Sequence, residues 1–298
     1  MPCGIDVSTY QKKINWTIVK STGLVQFAYI RATFGLALDG AFVDNWSGCA
    51  AVGLLRGAYH FYKANVDPIA QADAFFAAVG QLNDNDLPPV IDFEVKRNGE
   101  NVDTFVKNIV KFMRRSEELF KRRLVVYTGG PIFDQETRGA AADDIEYIAS
   151  HDLWLSAYVT KPDQFIPSAW KQRNRTWKIW QRSGDVAALG KPGMRVAGVP
   201  TVVDYDVTQS SSDDMLEWIR STVIVEDAKV PEQATSPVEE SVIDPSHNED
   251  AIVDPPCPDP ENHQEEVIPN PEMTAGFFRV FLQVLAFVCS MIFKRRLP

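Results

Sequence analysis

Asp92-Phe93-Glu94 closes a short apolar run, Pro89-Val90-Ile91. On a strand, side chains two residues apart point to the same face, with Cα atoms about 6.6 Å apart. Two carboxylates this close repel, so one titrates high and can keep its proton at neutral pH while the other stays anionic. Cleavage of a glycosidic bond uses that division: one group protonates the leaving oxygen and another faces the positive charge developing on the sugar. Taken alone, the pair is equally compatible with a helix cap or a divalent-metal site.

Two further acids strengthen the chemical reading. Asp6 ends the first apolar segment, Gly4-Ile5, and Asp204 ends the last, Val202-Val203. In a closed barrel the first and last strands are neighbours, so both acids converge on the mouth that holds Asp92 and Glu94. Four acids at three strand ends, with no compensating cation at those ends, form a cluster that is costly for structure alone. They point to a cationic or oxocarbenium-like transition state.

The elements that position these acids alternate from Gly4 to about Ile224. Strand-like segments are Gly4–Val7, Phe27–Ala32, Gly57–Tyr62, Pro89–Glu94, Leu124–Thr128, Leu153–Tyr158, Trp177–Gln181 and Val202–Asp204. Helical segments begin at Ile14 and run over Phe42–Ala51, Ile69–Val79 and Val102–Phe120. Short apolar strands separated by helices predict a parallel sheet with helices outside it. Eight strands in this length favour an irregular TIM-like (β/α) barrel over an open sheet. No glycine fingerprint for a dinucleotide follows the first strand. The last strands leave little room for helices, so irregularity is expected there.

The rest of the 298-residue chain has a different composition. Residues 225–272 hold nine of the 19 prolines, and from Glu226 to Glu272 there are 14 acids against one base. Such a segment buries too little apolar surface to offset the entropy of ordering, and it reads as a disordered linker. Residues 273–298 form a hydrophobic tail ending in Lys294-Arg295-Arg296. Its 21 residues from Met273 to Phe293 are long enough to span a bilayer. Arg279, Gln283 and Ser290 give it a narrow polar stripe compatible with self-association in the membrane. With linker and tail set aside, the body at 1–224 is nearly neutral, which argues against nucleic-acid binding. The four cysteines have neither metal-ligand nor redox-pair spacing. The opening residues lack the basic and apolar stretches of a signal peptide, so none is expected.

Gly4-Ile5-Asp6-Val7-Ser8, Tyr10-Gln11 and Trp16 resemble the opening of glycoside hydrolase family 25, the lysozymes that cut bacterial peptidoglycan. The resemblance continues in order through Phe27–Thr33, Gly53–Phe61, Leu87–Glu94, Val126–Thr128, Leu153–Leu155, Ile179–Gln181 and Val203-Asp204. It covers about residues 3 to 220 and stops before the linker. It implies an irregular barrel of eight strands and about five helices. It also implies hydrolysis of the β-1,4 bond between N-acetylmuramic acid and N-acetylglucosamine, with no metal and no cofactor. Glu94 matches the general acid and Asp92 the carboxylate that assists the substrate acetamido group or faces the anomeric charge. Asp6 and Asp204 match the supporting acids. Tyr62, Tyr127, Trp154, Tyr158 and Trp180 are candidates for stacking on sugar rings, and His60 for a hydrogen bond to an N-acetyl or hydroxyl group. The chain departs from the family where Asp204-Tyr205-Asp206 replaces the usual Asp-x-Asn, and where Arg182 follows Gln181. A hydrophobic tail beside such a barrel suggests a membrane-held enzyme acting on the cell wall, as a phage endolysin would. The alternative is a membrane-tethered barrel that grips peptidoglycan without cutting it.

Overall fold

The computed structural model describes residues 2–184, 194–209 and 211–225. The linker and the hydrophobic tail lie outside the described residues. Among the described residues nine strands form one sheet: β1 Cys3–Val7, β2 Phe27–Phe34, β3 Ala37–Leu38, β4 Leu55–Phe61, β5 Val90–Asp92, β6 Val125–Thr128, β7 Asp152–Ser156, β8 Trp177–Ser183 and β9 Asp204–Thr208. The order β1-β9-β8-β7-β6-β5-β4-β2-β3, with β1 also paired to β2, closes eight of them into a barrel. The two-residue β3 folds back on the end of β2 as a hairpin.

The sheet is mixed where a parallel one was expected. β1, β2, β4, β5, β6, β7 and β8 run parallel to their neighbours, but β9 runs antiparallel to both β8 and β1. A parallel return needs a helix-sized crossover, whereas an antiparallel one does not. Among the described residues no helix separates β8 from β9. Asp204 is therefore the first residue of its strand, and the reversed direction still delivers it to the end where the other strands finish.

Eight α-helical segments surround the barrel among the described residues, against about five expected: α1 Trp16–Ser21, α2 Phe42–Ala51, α3 Pro68–Val79, α4 Val102–Phe120, α5 Gly130–Glu136, α6 Ala142–Ala149, α7 Ser168–Lys171 and α8 Ser212–Ser221. The surplus is in short pieces. Gly139, at φ +87°, breaks the chain between α5 and α6. α5, α6, α7 and α8 were not read from the sequence; α8 is the longest of them, and a capping box starts it: Ser211 Oγ accepts the Asp214 N–H and Asp214 accepts the Ser211 N–H.

Side-chain alternation sorts the strands into two cores. Phe27, Tyr29, Tyr59, Val90, Val125, Tyr127, Trp154 and Ile179 point inward and pack with Met215, Trp218 and Ile219 of α8. The Trp218 indole N–H donates to Asp152 at the start of β7 (2.8 Å), so α8 plugs the end where the parallel strands begin. The outward residues, among them Ile30, Ala32, Ile91, Phe93 and Val126, join the helices; α4 contributes Phe105, Val106, Ile109, Phe112, Met113 and Phe120. Buried Glu117 of α4 ties this outer layer to α6 and β7, accepting from His151 Nε2 (2.8 Å) and the Tyr147 hydroxyl (2.6 Å).

The interior is tight enough to demand glycine on β4. A Cβ on Gly57 would lie 2.2 Å from the Tyr29 ring and 2.8 Å from Leu87 Cβ. Gly57→Ala is expected to lower unfolding stability by about 1–3 kcal/mol, since overpacking a filled core forces shifts in its neighbours. Urea denaturation checks this.

Candidate active site

The open end of the barrel gathers the acids. Asp6 on β1 and Asp204 on β9 are direct cross-strand partners. Asp92 ends β5 and stands opposite Tyr127 on β6. Glu94 lies two residues past that strand. The strand end is held by the Phe93 N–H donating to Tyr127 O (2.8 Å) and by Thr128 Oγ1 donating to Phe93 O (2.7 Å). Asp92 is only 5% exposed, whereas Glu94 is open to solvent.

This difference in burial separates the two carboxyls. Burial pushes the Asp92 carboxyl well above the usual range; the charges of Glu94 and Asp6 push it further, and Arg31 opposes them. Asp92 Oδ1 is buried and has no hydrogen-bond partner among the described residues, which also favours the protonated form. Tyr59 lies in the midst of the group. Burial raises its phenol far above the normal value, with the charges of Asp6, Asp92 and Asp204 adding to the effect.

Arg31 corrects the expectation of an uncompensated acid cluster. It projects from β2 and donates from Nε to Asp39 (2.8 Å) while lying over the Tyr10 ring (5.2 Å) and the Phe34 ring (5.8 Å). Asp39, just after the β3 hairpin, also accepts the N–H groups of Thr9 (3.2 Å) and Ala41 (2.9 Å). The hairpin thus fixes one guanidinium beside the acids. Its signal in the sequence was an arginine on an otherwise apolar strand.

Gln181 organises the other side of the mouth. Its Oε1 accepts the hydroxyls of Tyr127 (2.8 Å) and Tyr158 (2.7 Å), and its Nε2 donates to Asp6 Oδ2 (2.7 Å). Two hydroxyls on the carbonyl oxygen fix which end of the amide faces Asp6. Deeper in, the Trp154 indole N–H donates to Asp206 Oδ1 (2.9 Å), and Asp206 is hydrogen-bonded to Asp6. Gln181, Arg31, Tyr59 and Asp206 were not among the expected site residues.

The six expected sugar-binding side chains divide by strand parity. Tyr158 is half-buried at the rim. Tyr127 and Trp154 form the floor, their rings 4.9 Å apart, with Tyr29 4.7 Å from Trp154 on its other side. Trp154 is 2% exposed, so it supports the site from below and presents no open face. His60, Tyr62 and Trp180 face outward, away from the mouth, because they are one residue out of phase with Tyr59 and Gln181. His60 is wholly buried, bonded to Thr33 Oγ1 (2.7 Å) and Gln71 (3.2 Å) and stacked on Phe112 (4.6 Å). Burial drives its pKa down to about 3, so it is a neutral core histidine. Tyr62 packs edge-on to Phe105 and Phe112, and the Trp180 indole N–H donates to Ala157 O (2.7 Å). No group of three or more His, Cys, Asp or Glu side chains among the described residues is arranged to hold a metal ion.

The profile of glycosyl hydrolases family 25 matches residues 5–190. The chain belongs to that family. Lysozyme M1 of Streptomyces globisporus is 32% identical over 234 residues, covering 74% of this chain and 71% of that protein. The crystal structure of a bacterial lysozyme from Streptomyces coelicolor superposes with a TM-score of 0.62 at 31% identity, covering 74% of this chain and 98% of that one. A muramidase from Trichobolus zukalii gives a TM-score of 0.61 at 25% identity, over 74% of this chain and all of the other (100%). The family 25 barrel described here is therefore a glycoside hydrolase, and the four-acid mouth is its candidate active site.

Proposed function

We propose that this enzyme is an N-acetylmuramidase that hydrolyses the β-1,4 bond between N-acetylmuramic acid and N-acetylglucosamine in bacterial peptidoglycan. The observation that carries the reading is the unequal burial of Asp92 and Glu94 at one strand end. In the free enzyme the shared proton resides on buried Asp92. A bound sugar covers Glu94, removes its water and raises its proton affinity, so the proton passes to Glu94. Glu94 then donates it to the leaving glycosidic oxygen. Asp92, left as the anion, faces the positive charge at the anomeric carbon or orients the substrate acetamido group, with Arg31 favouring its ionised form. Asp6 and Asp204 hold the supporting negative charge. Tyr158 at the rim is the side chain placed to meet a sugar.

The test is release of reducing ends from purified peptidoglycan by the full-length chain, beside Glu94→Gln. Sugar release by the native enzyme and not by the variant supports the reading. Binding without release would make the barrel a non-catalytic glycan-binding module.

The proposed setting is the cell envelope, with residues 225–272 as a linker and 273–298 as a membrane helix, as in a phage endolysin held at the membrane until lysis. Composition alone supports this: the tail is apolar over a bilayer-spanning length and ends in three bases. Among the described residues no helix is long and apolar enough to cross a membrane. Deleting residues 273–298 is expected to move the protein from the membrane pellet to the supernatant on fractionation; an unchanged distribution would remove the anchor.

A further inference from the structure

The proposed mechanism makes no use of Asp206, although it is the most deeply buried acid near the site. It is 0% exposed, on the inward face of β9. One oxygen, Oδ1, accepts the Trp154 indole N–H at 2.9 Å. The other, Oδ2, is buried and receives no hydrogen bond from a donor among the described residues. Its side-chain neighbour is the carboxyl of Asp6, on the adjoining strand. Two carboxylates cannot satisfy each other, because an ionised carboxyl only accepts. A hydrogen bond between them requires one to carry a proton.

The surroundings say which one carries it. Asp6 Oδ2 takes the Gln181 Nε2–H at 2.7 Å, a donor whose direction the Tyr127 and Tyr158 hydroxyls have fixed. That amide favours the ionised form of Asp6. Asp206 has a single indole donor and complete burial. The titratable groups that face it are Asp6 from β1 and Tyr29 from β2, with Asp204 two residues along its own strand; Gln181 from β8 and Trp154 from β7 are neutral. No cation among the described residues offsets its charge.

We propose that Asp206 is a positioning residue of the reaction, a protonated acid whose hydroxyl donates to Asp6 and holds it as a single, directed carboxylate at the mouth. The pair then carries one negative charge. If Asp206 ionises, two buried carboxylates repel, Asp6 loses one of its donors and keeps the Gln181 amide on Oδ2, and the acids at the mouth gain a charge that disfavours the anionic form in which Asp92 works. Consistent with the geometry, burial and the Asp6 charge move the Asp206 carboxyl well above the ordinary carboxylate range. The alkaline limit of activity is set at this pair.

The inference rests on the muramidase reading, and its test includes a readout independent of turnover. Asp206→Asn keeps an N–H toward Asp6 and an oxygen toward Trp154 but cannot ionise. The expected result is an alkaline limb of kcat/KM displaced upward by about one pH unit or more. A profile superimposable on the native one would overturn the proposal. The second measurement is infrared spectroscopy of the full-length Asp92→Asn protein at pH 7. A carbonyl band from a protonated carboxyl is expected there, and it should vanish in Asp92→Asn/Asp206→Asn. Should Asp206→Asn not fold, the Asp92→Asn spectrum decides: a protonated carboxyl supports the proposal and its absence overturns it. A native chain that releases no sugar, with the band still present in Asp92→Asn, would defeat the muramidase reading and leave the acid pair intact.

Discussion

Glu94→Gln in the full-length chain is expected to lower kcat on purified peptidoglycan by about 10²–10⁴-fold, with the melting temperature and circular dichroism spectrum unchanged. The amide has the carboxyl's shape but cannot deliver a proton to the leaving oxygen. Because Glu94 is exposed and lies beyond the end of β5, the substitution removes no core packing. Surface changes of this kind stay within about 0.5 kcal/mol of native stability. KM should move less than kcat, since the proton is needed in the transition state rather than for binding. Loss of activity together with a lowered melting temperature would assign Glu94 a structural role instead.

Asp92→Asn is expected to trade activity for stability. The carboxyl of Asp92 is raised in the folded protein by burial first and by Glu94 and Asp6 next. A group with a raised folded pKa binds its proton more tightly in the native state than in the unfolded chain. Its stabilising contribution is complete below the unfolded pKa, near the ordinary value of 3.8, and is lost as pH rises through the folded pKa. At neutral pH the native protein therefore bears the cost of a buried, poorly satisfied acid. Removing it should stabilise the fold at pH 7 by about 1–3 kcal/mol, and the gain should fade toward pH 4. Turnover should fall by about 10²–10³-fold, because the amide offers no negative charge to the anomeric carbon. Thermal melts across pH, beside initial rates, check both halves. A variant equally active, or less stable at neutral pH, would contradict the roles given to Asp92.

The reading from residues located the four acids because each is attached to a short apolar run that can only be a buried strand. Closure of the sheet then put Asp6 beside Asp204 whatever the details between them. Strand direction at β9 was not legible in that way. Val202-Val203-Asp204 reads alike as the end of a parallel strand or the approach to an antiparallel one, and only the pairing of Asp204 with Asp6 decides. The same limit explains His60, Tyr62 and Trp180. An apolar strand in a barrel is buried on both faces, so its pattern carries no inside-outside signal. Residue type then suggested sugar contacts for side chains that parity turns toward the helices. Arg31 and Gln181 were obscured for a different reason. Their importance lies in partners 8 and 175 residues away in the chain, Asp39 and Asp6. α8, whose Met215, Trp218 and Ile219 seal the barrel, follows β9 directly, but its apolar residues are few and interleaved with acids, so no helix was read over Ser212–Ser221.

The central claim is that this barrel cuts one particular bond of peptidoglycan, and the sugar at each new reducing end reports it directly. Purified peptidoglycan digested with the full-length chain, reduced with borohydride and hydrolysed with acid should yield muramitol, the reduced form of the muramic acid exposed by cleavage. Glucosaminitol in its place, or no reduced amino sugar above the Glu94→Gln control, would contradict the account.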